Sequence, residues 1–266
     1  MPIDTLHPGR AWALYYCRGV LVSLVSDRYV AERFGSGPDR VLALHGWART
    51  RADWAPVLER TGGLALDLRG FGSAPPPDEG WNTENYADDL VPLVESLDRP
   101  VLVGHSFGGR IAARIAASHP GLVGGLLLTG TPLIRRGGAS QPPLGYRLAK
   151  LGRRVGVISE ARMEAARNKY GSADYRNAQG VVRNVLVRTV NETYDDVIAG
   201  LRDYPGPIEL VWGEHDTAAP ADLAAQLAER TGGTLTVVPN TGHLLEPALA
   251  KAVGEHIETL LQRTAP

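Results

Sequence analysis

The chain has almost no cysteine: Cys17 is the single one among 266 residues. That excludes an internal disulfide, and no cysteine–histidine spacing suggests a zinc site. Nor is there an apolar run fit for a membrane. Val20-Leu21-Val22-Ser23-Leu24-Val25 falls far short of the roughly 20 apolar residues that cross a bilayer. Residues 1–18 lack the basic stretch and apolar segment of a secretory leader. An excess of one charge is also missing, with 28 Lys and Arg against 29 Asp and Glu, so no general attraction to nucleic acid or an anionic surface is encoded. There is no internal repeat and no low-complexity tract. These absences lead us to expect a cytoplasmic protein that acts on a small molecule, without nucleic acid, membrane, metal or cofactor. They leave its oligomeric state open.

What remains is ordinary globular composition, 44% hydrophobic and 21% charged, sufficient for a large core. Such a length suits one α/β unit of about 200–250 residues carrying an insertion. Short apolar runs at residues 19–25, 29–34, 41–44, 64–68, 101–103, 126–128, 208–212 and 235–238 read as strands. Helical spacing appears at 52–59, 85–97, 109–113 and 221–230. Continuous apolar strands separated by helices imply a mostly parallel sheet buried on both faces. Between residues 132 and 204 that rhythm breaks, and helix-like stretches at 145–154, 159–170, 177–190 and 193–201 follow one another with no strand between them. We read residues 133–203 as an α-helical cap inserted into a core formed by residues 1–132 and 204–266. The proline- and glycine-bearing stretch 137–143 reads as its mobile entrance. This cap holds 13 basic and 7 acidic residues, so it is positive while the core is negative. Solvated helix faces account for such an asymmetry; the sharper reading is that Arg135, Arg136, Arg147, Lys150, Arg153 or Arg154 steers an anionic substrate.

Chemistry enters at Gly104-His105-Ser106-Phe107-Gly108. Glycines two before and two after a serine allow a tight strand-to-helix turn that exposes the hydroxyl, and the turn sets the Phe107 amide at a helix N-terminus, where negative charge is favoured. A serine needs a base to act as a nucleophile near neutral pH. Two later strands end in candidates: Gly213-Glu214-His215-Asp216 supplies an acid and Gly242-His243 an imidazole. The order Ser106, Asp216, His243 suits a nucleophile–acid–base triad. Each member has a blander competitor, since a serine or aspartate also caps helices and a histidine is often a satisfied core residue.

With His45-Gly46-Trp47 and Asp67-Leu68-Arg69-Gly70-Phe71-Gly72 added, the chain resembles the α/β-hydrolase family over nearly its whole length, in the esterase-like branch with a helical cap. That resemblance implies that the Trp47 and Phe107 amides form the oxyanion hole, while His45, Gly46, Gly104, His105 and Gly108 support it. One departure stands in the glycine loop, where Ala74 occupies a common serine position and Ser73 comes one residue earlier. Trp47, Arg135, Arg147, Met163 and Tyr170 are the candidate substrate contacts, and Met163 and Tyr170 compete with a plain core role. The implied activity is hydrolysis of a small or medium carboxylic ester or thioester through an acyl-enzyme. The same residues would serve a cofactor-free lyase, a perhydrolase, an acyltransferase, a carbon–carbon bond hydrolase, or a slow-turnover ligand-binding protein.

Overall fold

The computed structural model describes residues 19–26, 28–136, 144–170 and 173–264. Cys17 and the cap entrance read over residues 137–143 lie outside them. Eight strands form one sheet: β1 (Val20–Leu24), β2 (Tyr29–Phe34), β3 (Val41–Leu44), β4 (Gly63–Leu66), β5 (Val101–His105), β6 (Gly125–Thr129), β7 (Ile208–Gly213) and β8 (Thr234–Val238). Their spatial order is β1-β2-β4-β3-β5-β6-β7-β8. Pairing is antiparallel only where β2 meets β1 and β4; every other neighbour is parallel. The expected α/β architecture with a mostly parallel sheet is what the chain adopts.

Among the described residues ten α-helices accompany the sheet: α1 (Ala55–Thr61), α2 (Thr83–Glu95), α3 (Phe107–Ser118), α4 (Leu144–Arg154), α5 (Glu160–Tyr170), α6 (Ala173–Asn177), α7 (Gly180–Thr189), α8 (Asp195–Arg202), α9 (Ala221–Thr231) and α10 (Pro247–Arg263). The central strands have no polar face because both faces are covered. Side chains alternate across a strand, so Leu42, Leu44, Leu102, Leu126, Leu128, Leu210 and Trp212 enter a core shared with α2, α3, α8 and α9. Val41, Ala43, Val101, Val103, Leu127 and Val211 enter a second core under α1 and α10. Each fully buried leucine contributes roughly 1.5–3 kcal/mol relative to exposure. On the edge strand β1, by contrast, Val20 and Leu21 are exposed.

Two expectations about helices change. The stretch read as a helix over 177–190 is helical only from Gly180 to Thr189, as α7, and the short helix α6 over Ala173–Asn177, which the sequence reading did not assign, precedes it, the chain leaving helical geometry at Ala178-Gln179. The C-terminal helix α10, which the strand–helix alternation did not assign, packs along α1 and β7. Within residues 133–203, α8 lies against α3 and α9 and buries Val197, Ile198 and Leu201 in the larger core. It is a member of the helical layer over the sheet.

Candidate active site

Parallel strands deliver their loops to the same edge of the sheet, and the three triad candidates arrive there from different strands. Ser106 follows β5, Asp216 follows β7 and His243 follows β8. Ser106 has φ 50° and ψ −106°, a sparsely populated backbone conformation that costs on the order of 1–3 kcal/mol in a residue with a Cβ. Its surroundings hold it there: the Ser106 amide donates to the Thr129 carbonyl at 3.0 Å and the Gly108 amide to the His45 carbonyl at 3.0 Å. A Cβ at Gly104 would overlap the Gly109 backbone, and one at Gly108 would overlap the Leu44 and His45 carbonyls. That is why this turn carries glycine on both sides of the serine.

His243 Nδ1 lies 2.8 Å from Asp216 Oδ2, and His243 Nε2 lies 3.2 Å from Ser106 Oγ. A carboxylate only accepts, so Nδ1 carries the proton and donates it to Asp216, which leaves Nε2 free to accept from the serine hydroxyl. The other oxygen of Asp216 accepts from the amides of Ala218 at 2.9 Å and Ala219 at 2.7 Å, so the acid is fixed at both ends. Its side chain is 1% exposed, against 23% for His243. Gly130, just after β6, has φ 55°, and a Cβ there would press on the His243 ring at 3.0 Å and Asp216 Oδ2 at 3.2 Å. Its lack of a side chain makes room for the pair, a requirement visible only once the loops converge.

The supporting residues form a buried polar layer beneath. His45 Nε2 accepts from the Leu68 amide at 3.0 Å, so its Nδ1 is the protonated nitrogen and donates to the Gly46 carbonyl at 2.7 Å. Burial pushes the His45 pKa below its ordinary value. His105 Nε2 donates to the His243 carbonyl at 2.8 Å and so holds the histidine-bearing loop. Its Nδ1 is buried with no hydrogen-bond partner among the described residues, and Gly46 lies against that nitrogen. Burial first, and the neighbouring His243 second, lower the His105 pKa from 6.5 to about 4. In the glycine loop, Asp67 accepts from the Arg51 amide at 2.8 Å, from the Ser73 amide at 2.9 Å and from Ser73 Oγ at 3.0 Å, and it pairs with the Arg51 guanidinium. Burial alone would raise the Asp67 pKa, yet these donors leave it below the usual carboxylate value. Ser73 thus anchors the loop although Ala74 holds the commoner serine position.

A cavity of about 330 Å³ opens on Ser106 and His243, walled by Trp47, Phe107, Arg110, Pro132, Leu186, Val190 and Leu244. The Phe107 ring is buried and meets Trp47 edge-on at 5.3 Å and Tyr86 at 5.2 Å, which clamps the turn. A second cavity of about 340 Å³ adjoins it and shares Arg110, Pro132, Val190 and Ala218. Of the candidate substrate contacts, Trp47 lines the first cavity and Arg135 the second. Arg147 and Met163 are among the residues of neither. Arg147 is exposed on α4, and Met163 is 2% exposed on the inward side of α5, the core role that competed with a substrate contact. The Tyr170 side chain lies outside the described residues. Arg110, common to both cavities, was not singled out by the motifs; its position one helical turn past the serine is the signal that would have found it.

The model of the alpha/beta hydrolase family matches residues 41–252. Among curated proteins, 2-(acetamidomethylene)succinate hydrolase of Mesorhizobium japonicum is 27% identical over 253 residues, covering 83% of this chain and 91% of that protein. An esterase of Mycobacterium tuberculosis is 37% identical over 103 residues, covering 37% of this chain and 35% of its own length. Among solved structures, a thermophilic esterase from Thermogutta terrifontis superposes with a TM-score of 0.64 at 21% identity, covering 94% of this chain and 100% of that one. The chain belongs to the alpha/beta hydrolase family.

Proposed function

We propose that this protein hydrolyses small or medium carboxylic esters or thioesters through an acyl-enzyme on Ser106. The observation that carries this reading is the unbroken hydrogen-bond path from Ser106 Oγ through the His243 ring to Asp216, opening on a cavity. Ser106 Oγ attacks the carbonyl carbon while His243 Nε2 takes its proton. Asp216 keeps the ring in the right tautomer and stabilises the imidazolium without itself taking the proton. The carbonyl oxygen becomes an oxyanion and is received by the Phe107 and Trp47 amides, each worth about 3–4 kcal/mol to the transition state. His243 returns the proton to the leaving alcohol or thiol. Water then attacks the acyl carbon with His243 again as base, releasing acid and free Ser106. Residues 133–203 act as a cap over this centre, and Asp174, Leu186, Thr189 and Val190 from that stretch line the serine cavity.

The test is pre-steady-state and steady-state turnover of p-nitrophenyl acetate and of acyl thioesters by wild type and Ser106→Ala. The expected result is a burst of about one equivalent of nitrophenol in the wild type and a loss of at least roughly 10³-fold in the variant. Turnover that survives the substitution would point to a nucleophile-independent lyase. Tight ligand binding with no faster acid release than the variant would point to a binding protein.

A further inference from the structure

Arg110 stands at the junction of the two cavities described above. It lies four residues past Ser106 on α3, and therefore on the same face of the helix, about 6 Å along its axis. Its Nη1 donates to the Thr189 carbonyl at 3.4 Å, and its Cζ lies 5.7 Å from the centroid of the Tyr194 ring. Its Nε is buried and has no partner among the described residues, and no carboxylate lies within ion-pair distance of it among them. Burial first, and the neighbouring Arg135, lower its pKa below the ordinary arginine value, while Tyr194 and the charge of Glu192 oppose them. Arg114, one turn further on, shows the contrasting arrangement of a structural arginine: it donates from Nε to Thr83 Oγ1 at 2.8 Å and pairs with Asp196 at 3.5 Å.

The second cavity adds charge of the same sign. Arg135 and Arg136 line it with Arg110, and no acid lines it among the described residues. Arg136 is paired with Asp222, whereas Arg135 has no ion pair among the described residues. Apart from these cations the wall is mostly apolar, with Ile134, Trp212, Leu223 and Leu227. Among the described residues the one acid on the serine cavity is Asp174, an exposed residue of α6. Such a compartment is built for a short carbon chain that ends in an anion, because a planar guanidinium with free donors matches a carboxylate.

We infer that Arg110, assisted by Arg135, forms a carboxylate subsite, so that the preferred ester or thioester carries a free carboxylate in addition to the bond that is cleaved. This rests on the hydrolase reading above. The substrate spans the two cavities, with its scissile carbonyl at Ser106 and its carboxylate at the guanidinium.

The experiment compares kcat/KM for matched pairs: monoethyl adipate against ethyl hexanoate for a charge on the acyl part, and O-butanoylglycolate against ethyl butanoate for a charge on the alcohol part. In the wild type the anionic member of at least one pair is expected to be preferred by roughly ten- to a hundredfold, the range of a charged hydrogen bond. In Arg110→Gln that ratio falls to near one, and Arg110→Lys restores part of it. Arg135→Gln lowers it by a smaller factor. Wild-type ratios near one in both pairs overturn the subsite, as does a high ratio that Arg110→Gln leaves in place. Should Arg110→Gln not fold, the wild-type ratios and the Arg135→Gln variant decide. Should neither ester turn over faster than in Ser106→Ala, the hydrolase reading fails by itself. Calorimetric titration with adipate and hexanoate then tests the subsite: adipate binding to wild type but not to Arg110→Gln sustains it, and no adipate binding overturns it.

Discussion

His105 is where one proton has the largest expected effect on folding. It is buried, its Nε2 is committed to the His243 carbonyl, and its pKa is lowered to about 4. Unfolded, it titrates near 6.5, so between pH 6.5 and 4 the unfolded state binds more protons than the folded one. Stability is therefore complete above pH 6.5 and declines as pH falls toward 4, by up to about 3 kcal/mol from this residue. His45, also depressed by burial, adds in the same direction. Urea unfolding across pH 4–8 should show this slope, and His105→Gln, whose amide reaches the Nε2 position and keeps a donor for the His243 carbonyl, should flatten part of it. At the same scale, Asp216→Asn should leave the fold intact yet lower kcat by about 10³- to 10⁴-fold, because an amide no longer enforces the Nδ1–H tautomer. Steady-state kinetics beside circular dichroism checks both halves of that statement. Ser106, Asp216 and His243 could be singled out in the sequence because each follows an apolar strand closely and has a glycine within three residues. Gly130 and Arg110 were not, since their surroundings are assembled from loops far apart in the chain.

The elbow between β5 and α3 tests whether backbone proximity, rather than glycine content, shapes the site. Gly108→Ala sets a methyl against two carbonyl oxygens that belong to backbone, so it should cost several kcal/mol, on the scale of about 1–3 for overpacking plus the distortion of the turn. Gly121→Ala meets nothing within 4 Å and should change stability by less than about 0.5 kcal/mol. Thermal unfolding of the two variants gives the comparison. A second element-level device holds α10 to the sheet: Glu209 on β7, its side chain 5% exposed, pairs with His256 at 3.1 Å and Arg263 at 3.0 Å. Glu209→Ala should destabilise by about 1–3 kcal/mol, because it removes the buried carboxylate whose hydrogen bonds tie α10 to β7. Arg153→Ala, which loses only the exposed pair with Glu160, should sit within about 1 kcal/mol of wild type. The strands were readable from their apolar runs. α10 has Leu249, Val253, Ile257 and Leu260 at helical spacing, but it follows the last strand, where the alternation that marks the other elements has ended. α6 escaped for a different reason: at Ala173–Asn177 it is too short to show a helical repeat.

Across the whole molecule, the parallel order of β3 to β8 brings the His45-Gly46-Trp47 turn, Ser106, Asp216 and His243 to one edge of the sheet. Asp174, Leu186, Thr189 and Val190 face them from the segment inserted after β6. That arrangement follows from topology, which the order of motifs along the chain already specified. What the order did not specify is the shape of the space between the two parts, and hence the substrate. Charge asymmetry read along the chain pointed to Arg135 and Arg147; the cavities instead bring in Arg110, which belongs to the core. No described helix is long and apolar enough to cross a membrane.

The most direct measurement of the central claim is covalent: incubation of the intact protein with a fluorophosphonate, followed by mass spectrometry of the whole chain and of its peptides. A single adduct on Ser106 is predicted, absent from Ser106→Ala and strongly slowed in His243→Ala. Labelling of wild type no faster than of Ser106→Ala, or an adduct on another residue, would contradict the account.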